Sequence, residues 1–261
     1  MHFFKYQGAG NDFILIDNRT HFFDSQNTAL VAELCDRRFG IGADGLMLLQ
    51  THADYDFEMV YYNADGRIGS MCGNGGRCIV AFAKHLGLVE QKTNFLAVDG
   101  VHEATLNAQG DWVSLKMIDV NSISRDGDAF VLNTGSPHYV KVAHDLDQLE
   151  VYQEGKSIRY APAYAQEGIN VNFVEPLAEG YAVRTYERGV EDETLACGTG
   201  VTAVALAMAF DKKMMGDIMT PIKAKGGDLT IRFSQSSAGV FNDIYLEGPA
   251  NLVFEGTINR N

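Results

Sequence analysis

Two cysteines stand in matching surroundings, Met71-Cys72-Gly73-Asn74-Gly75-Gly76-Arg77 and Ala196-Cys197-Gly198-Thr199-Gly200. After each come glycine, a small polar residue and glycine, and then an apolar run of helical character, Cys78–Leu86 in the first case and Val201–Ala209 in the second. A thiol at a helix N-terminus meets unpaired backbone N–H groups and the positive end of the helix dipole. That setting lowers its pKa and makes thiolate available near neutral pH. Two such thiols suit one reaction in particular. A thiolate removes a proton from a stereocentre, and the opposite thiol returns a proton to the other face, inverting the configuration. The α-carbon of an amino acid is a very weak acid, so the developing carbanion needs support. Backbone N–H groups at two helix N-termini, gripping the α-carboxylate, supply it.

The elements that position these loops recur along the chain. Phe3–Gln7, Phe13–Asp17, Leu46–Leu49 and Tyr55–Tyr62 read as strands, and Asn27–Arg38 as a helix. After the first cysteine helix comes a strand–turn–strand run, Phe95–Leu106, and then Trp112–Met117. The later part repeats the order: strand Tyr181–Tyr186, cysteine loop, helix, strand–turn–strand over Ile222–Phe233, and a partner strand Ile244–Gly248. Cys72 and Cys197 are 125 positions apart, Asn63 and Glu187 124, and Gly100 and Gly226 126. Three landmarks at nearly one offset indicate an internal duplication. The expected fold is α/β (α+β), with two similar strand-rich halves, 1–120 and 121–261, facing each other across a cleft. The boundary is expected near Asp119–Asp128, where Asn, Ser, Asp and Gly cluster, and the last strand, about 250–261, is a candidate to pack on the first half. Gly40–Gly45 is glycine-rich but lacks the endings of a phosphate-binding loop or dinucleotide fingerprint, so it reads as loop structure.

Composition narrows the partners. The net charge is −13, from 34 acidic and 21 basic residues, which argues against nucleic acid or an anionic membrane surface. A small anionic substrate stays open, since one arginine or helix N-terminus suffices. No apolar run approaches the ~18 residues that span a bilayer, and the first residues lack the order of a signal peptide. Four cysteines in 261 residues do not make a secreted disulfide framework, so a cytoplasmic protein is expected. Metal binding is not expected, because there is no Cys-x-x-Cys pair and no histidine at zinc-site spacing. No strong pyridoxal-phosphate lysine motif is present, which fits chemistry without a cofactor.

Cys35 and Cys78 read as small buried apolar residues in helical runs. Asn63 is explained by turn formation, and His138, taken alone, by structure. The pair Glu187-Arg188, just before a cysteine loop, could hold the ammonium and carboxylate of an amino acid.

These stretches resemble the diaminopimelate epimerase family. The resemblance rests on Met71–Cys78, Ala196–Gly200, Tyr186–Gly189, Gly8–Phe13, Tyr62–Gly66 and Asn170–Phe173, and spans residue 5 to about 250. It implies a cofactor-independent epimerase interconverting L,L- and meso-diaminopimelate for lysine and peptidoglycan synthesis. It also implies two pseudo-symmetric halves, each a strand-rich layer wrapped on a central helix, in a homodimer. By position, Cys72 and Cys197 would be the acid–base pair, and Gly73, Asn74, Gly198 and Thr199 would grip the reacting carboxylate. Asn11, Asn63, Asn170, Glu187 and Arg188 would read the distal end, with His138 and Glu187 tuning the thiols. Two positions depart from the family pattern: Ser136, where many members have Asn, and Asp44, where some place a substrate-touching Gln. A proline-type two-thiol racemase is the nearest rival, disfavoured by Asn74 and Glu187-Arg188. A phenazine-pathway isomerase is expected to lack both thiols. A non-catalytic amino-acid-binding protein would need only the pocket.

Overall fold

The computed structural model describes residues 1–259. In chain order the first part holds β1 (His2–Gly8), β2 (Asn11–Asp17), α1 (Thr28–Cys35), β3 (Gly45–Gln50), β4 (Phe57–Asn63), α2 (Gly73–His85), β5 (Lys92–Ala97), β6 (Gly100–Leu106) and β7 (Trp112–Lys116). Next come β8 (Ser124–Asp126), β9 (Ala129–Asn133), β10 (Pro137–Val142), α3 (Val151–Arg159), β11 (Asn170–Pro176), β12 (Tyr181–Glu187) and β13 (Asp192–Thr194). They are followed by α4 (Gly198–Asp211), β14 (Gly216–Ala224), β15 (Gly227–Ser237), β16 (Val240–Pro249) and β17 (Asn251–Thr257).

The chain divides into two compact units, Met1–Leu115 with the stretch from Gly248 onward, and Lys116–Glu247. The first unit ends at Leu115, ahead of Asp119–Asp128. The polar stretch is no bare linker. Val120 is buried and bridges to Phe241, and β8 pairs with β9. Of the strand expected over about 250–261, Arg260 and Asn261 lie outside the described residues. The rest is β17, which pairs antiparallel with β1 from His2↔Thr257 to Gln7↔Asn251.

In the first unit the strands run β17, β1, β2, β3, β4, β5, β6, β7, antiparallel except for the parallel pairs β2/β3 and β4/β5. Parallel neighbours need a crossover, and α1 and α2 provide the two. In the second unit the order is β8, β9, β10, β11, β12, β14, β15, β16, with parallel pairs β10/β11 and β12/β14 bridged by α3 and α4. The duplication therefore extends to strand order and direction. It even includes a short piece beside the end of the fourth main strand: β13 on β12, and the bridge Tyr62↔Ile68 on β4.

Each unit curls around one helix. α2 touches β1, β2, β3, β6 and β17, and α4 touches β9, β10, β11, β12, β14 and β15. Both are buried along most of their length, α2 from Gly73 to Ala83. α4 is apolar all round, the pattern of a helix buried on every side, and Gly200 through Ala209 are all buried. Ile79, Val80 and Phe82 of α2 are fully buried, each contributing roughly 1.5–3 kcal/mol relative to exposure. Both helices begin a turn earlier than the apolar runs suggest, at Gly73 and Gly198. Glycine is a poor helix former, but here packing decides. A Cβ at Gly75 would strike the Met47 side chain, and one at Gly200 the Asn172 amide.

Candidate active site

Cys72 is the N-cap residue of α2 in extended backbone, so its sulfur sits where the first-turn N–H groups point outward. Its Sγ donates toward Asn11 Oδ1 at 3.6 Å, and Asn74 Nδ2 approaches the same oxygen at 3.5 Å. Asn11 Nδ2 in turn donates to Asp44 Oδ2 at 2.6 Å. Asp44 is held by Arg37 at 2.7 Å, and Arg37 also grips Asp12, which pairs with the buried Lys5 at 2.7 Å. Burial pushes the Asp12 carboxyl up, but bonds from Arg37 and Lys5 outweigh this and hold it well below the usual carboxylate range. Beneath the cysteine, Arg77 is completely buried and donates to Asn74 Oδ1 and the Gly73 carbonyl.

In the second unit Cys197 is the N-cap residue of α4, with nearly the same backbone angles as Cys72. Its Sγ lies 3.5 Å from Thr199 Oγ1, and Thr199 Oγ1 lies 2.9 Å from His138 Nε2. His138 Nδ1 meets Asn172 Nδ2 at 3.1 Å, and Asn172 Oδ1 accepts from Thr185 Oγ1 at 3.0 Å. Burial, helped by the nearby Arg188 charge, lowers the His138 pKa to about 3, so this ring is neutral at physiological pH. By contrast, burial raises the Cys35 and Cys78 thiols to about 12 and keeps them protonated.

The remaining candidates gather at the same end of each sheet. β2 and β3 start there and β4 finishes there, with Phe13 opposite Gly45 and Gly45 opposite Asn63. In the second unit His138 at the start of β10 pairs with Asn170 at the start of β11, and Glu187 ends β12 with Arg188 just after it. Asn170 donates to Ser136 Oγ at 2.9 Å and accepts from the Arg188 backbone N–H at 2.9 Å. Arg188 also reaches Ser136 Oγ at 3.3 Å, so Ser136 ties the two together. Glu187 is held by Thr194 Oγ1 at 3.0 Å, and Asn63 closes its own turn through Gly66 and Arg67. Asn172, Thr185 and Arg77 were not singled out from the sequence. The signal for Asn172 was present: Asn170 and Asn172 share one face of a strand, where asparagine is disfavoured without a partner to satisfy it.

The same fold occurs in solved racemase- and isomerase-type proteins. A Bacillus anthracis phenazine biosynthesis protein of the PhzF family matches with a TM-score of 0.76 at 14% identity, covering 100% of this chain and 99% of that one. A probable proline racemase from Agrobacterium radiobacter matches at 0.70 and 13%, covering 100% and 93%. Likeness at such identity speaks for the fold alone. Sequence goes further, since the diaminopimelate epimerase family profile matches residues 3–123 and 130–253. A diaminopimelate epimerase from Flavobacterium psychrophilum is 52% identical, over 99% of this chain and 100% of the relative. One from Chlorobaculum tepidum is 44% identical, over 96% and 98%. Relatives this similar over the whole chain make the protein an isomerase. The chain belongs to the diaminopimelate epimerase family.

Proposed function

We propose that this protein interconverts L,L- and meso-diaminopimelate in lysine and peptidoglycan precursor synthesis, without a cofactor, using Cys72 and Cys197 as its acid and base. The observation that carries this reading is the placement of both cysteines as N-cap residues of equivalent buried helices. One thiolate takes the α-proton and the other thiol delivers a proton to the opposite face. The N–H groups of Gly73, Asn74, Gly198 and Thr199 hold the α-carboxylate, where negative charge grows as the proton leaves. Asn11, Asn63, Asn170, Glu187 and Arg188 take the distal amino-acid end, whose ammonium and carboxylate ask for paired opposite charges. Family membership supports the substrate.

The test is NMR of the reduced protein with L,L-diaminopimelate in heavy water and no added cofactor. Deuterium entering one α-position as meso product forms is the expected result. Exchange with proline instead would transfer the assignment to another racemase, and exchange with neither would leave a binding protein. Cys72→Ala and Cys197→Ala should each fold and lose turnover. Near wild-type activity in either would end the two-thiol mechanism.

The protein is further proposed to work as a cytoplasmic homodimer. Leu252, Val253 and Phe254 on β17 are all exposed, an apolar strip that a second copy would cover. Sedimentation should give a dimer, shifted toward monomer by Phe254→Glu. A wild-type monomer at micromolar concentration would contradict this.

A further inference from the structure

Glu191, in the turn after β12, has a backbone that its residue type disfavours. Its φ of 59° lies in the left-handed region, which glycine adopts freely and a glutamate only under strain. The side chain explains why glutamate stands there. Oε1 accepts from the Gly189 N–H at 3.1 Å and from Arg159 Nε at 3.3 Å, and Oε2 accepts from the Tyr186 hydroxyl at 3.1 Å. The Glu191 N–H closes the turn on the Glu187 carbonyl at 2.9 Å or less, at 2.8 Å. Burial pushes the carboxyl up, but the Gly189 N–H, the hydroxyls of Tyr186 and Tyr160 and the Arg159 charge outweigh this and hold it below its ordinary value. One carboxylate thus joins the end of α3, the end of β12 and the turn between them.

The clamp encloses Arg188, and Arg188 leaves the turn along a set path. Its N–H goes to Asn170 Oδ1 at 2.9 Å, Nη1 to the Glu167 carbonyl at 3.0 Å and Nη2 to Ser136 Oγ at 3.3 Å. Arg159 crosses the same ground. Only a glycine leaves room for both at position 168, where a Cβ would meet Arg188 Cδ at 2.6 Å and Arg159 Cζ at 2.7 Å. The Arg159 side chain is largely buried, so solvent screens its charge poorly. Two arginine side chains packed this closely repel each other. Glu191 offsets the Arg159 charge and fixes where that guanidinium lies. A glycine at 191 would relax the backbone but leave Arg159 unheld beside Arg188.

We infer that Glu191 is a positioning residue for Arg188, holding the turn and Arg159 so that the Arg188 guanidinium meets the distal carboxylate of the substrate in one geometry. The inference deepens the epimerase reading and rests on it for what Arg188 binds, though not for how Glu191 holds the turn. Glu191 acts through the Gly189 N–H and Arg159, away from the reacting carbon. Its loss should therefore weaken capture of the substrate more than transfer of the proton, raising KM with a smaller change in kcat.

Three substitutions separate this role from a purely structural one. Glu191→Ala removes the carboxylate and keeps the backbone strain, whereas Glu191→Gly removes both, so the glycine variant should melt at the higher temperature of the two. KM for diaminopimelate should nevertheless rise in both by roughly tenfold or more, the effect of losing charged hydrogen bonds. Glu191→Gln, whose amide oxygen still accepts from Gly189 and Arg159, should stay within about threefold of wild type. Hydrogen exchange of the Gly189 amide, measured without substrate, should be faster in the alanine and glycine variants than in wild type. A wild-type KM in Glu191→Gly, or KM values that follow melting temperature across the variants, would overturn the inference. So would an unchanged Gly189 exchange rate. That last measurement involves no substrate, so failure of the epimerase assignment would appear separately, as absence of turnover in the wild type.

Discussion

Arg77 Nη2 donates to Asn74 Oδ1 at 3.0 Å, one helical turn back along α2. The guanidinium is entirely buried and its hydrogen bonds go to neutral oxygens, while Nε has no partner among the described residues. Burying a charge this way is costly. The arrangement is explained by what it fixes: an Asn74 side chain that presents its NH2 to the space above the helix end.

Arg77→Lys keeps the charge but loses the two-pronged grip. Loss of one charged hydrogen bond, roughly 1.5–3 kcal/mol, should lower kcat/KM by about 10- to 100-fold. Kinetics and calorimetry on the same sample check this. A drop in melting temperature with unchanged kcat/KM would mean that Arg77 serves the fold alone.

Gly75 and Gly200 occupy the same place in the two helices, yet alanine should act differently at each. At Gly75 the new methyl meets the end of Met47, a flexible side chain able to move aside. Stability there should stay within about 1 kcal/mol of wild type, helped by alanine's helix propensity. At Gly200 the methyl strikes Asn172 Oδ1, which the Thr185 hydroxyl holds in place, and crowds Cys197 Sγ at 3.4 Å. Gly200→Ala should cost ~1–3 kcal/mol from overpacking, and displacement of the thiol should reduce turnover ~100-fold. Denaturant melts and steady-state rates for the pair decide it. Equal effects at both glycines would refute the contrast.

His138 makes stability depend on pH with a definite sign. Its folded pKa of about 3 lies below the unfolded value of 6.5, so between those values the unfolded chain binds a proton that the native ring refuses. Stability is therefore full above pH 6.5 and falls as the solution is acidified toward 3. The loss from this one group should reach roughly 2 kcal/mol between pH 7.5 and 5. Urea melts of wild type and His138→Gln over that range isolate it, since the carboxylates are common to both. Parallel curves would mean that the ring is protonated in the native state.

Much of this protein was legible because the duplicated landmarks carry their own physics. The Cys72 and Cys197 loops marked which helices would be central, Tyr181–Tyr186 alternates as a strand does, and Phe13–Asp17 is a short apolar run of strand length between turn signals. The glycine-rich first turns, Gly73–Gly75 and Gly198–Gly200, look like loop to any local rule. Glycine stands at Gly75 and Gly200 because neighbouring side chains occupy the space a Cβ would need. Asp44 was unreadable for a related reason. A half-exposed aspartate in a glycine-rich loop resembles solvent-facing charge until Asn11 is found at 2.6 Å, 33 residues away in sequence. Val120 was hidden in a polar stretch, with its bridge to Phe241 formed across most of the second unit.

The strand β17 belongs with β1, yet the whole of Lys116–Glu247 separates them along the chain. On a ribosome the second unit therefore has every strand of its sheet in hand while the first still lacks one. Until Asn251–Thr257 is synthesised, β1 presents an open edge, and open edges invite pairing with other chains. Birth order is thus inverted. The unit that emerges first is completed last.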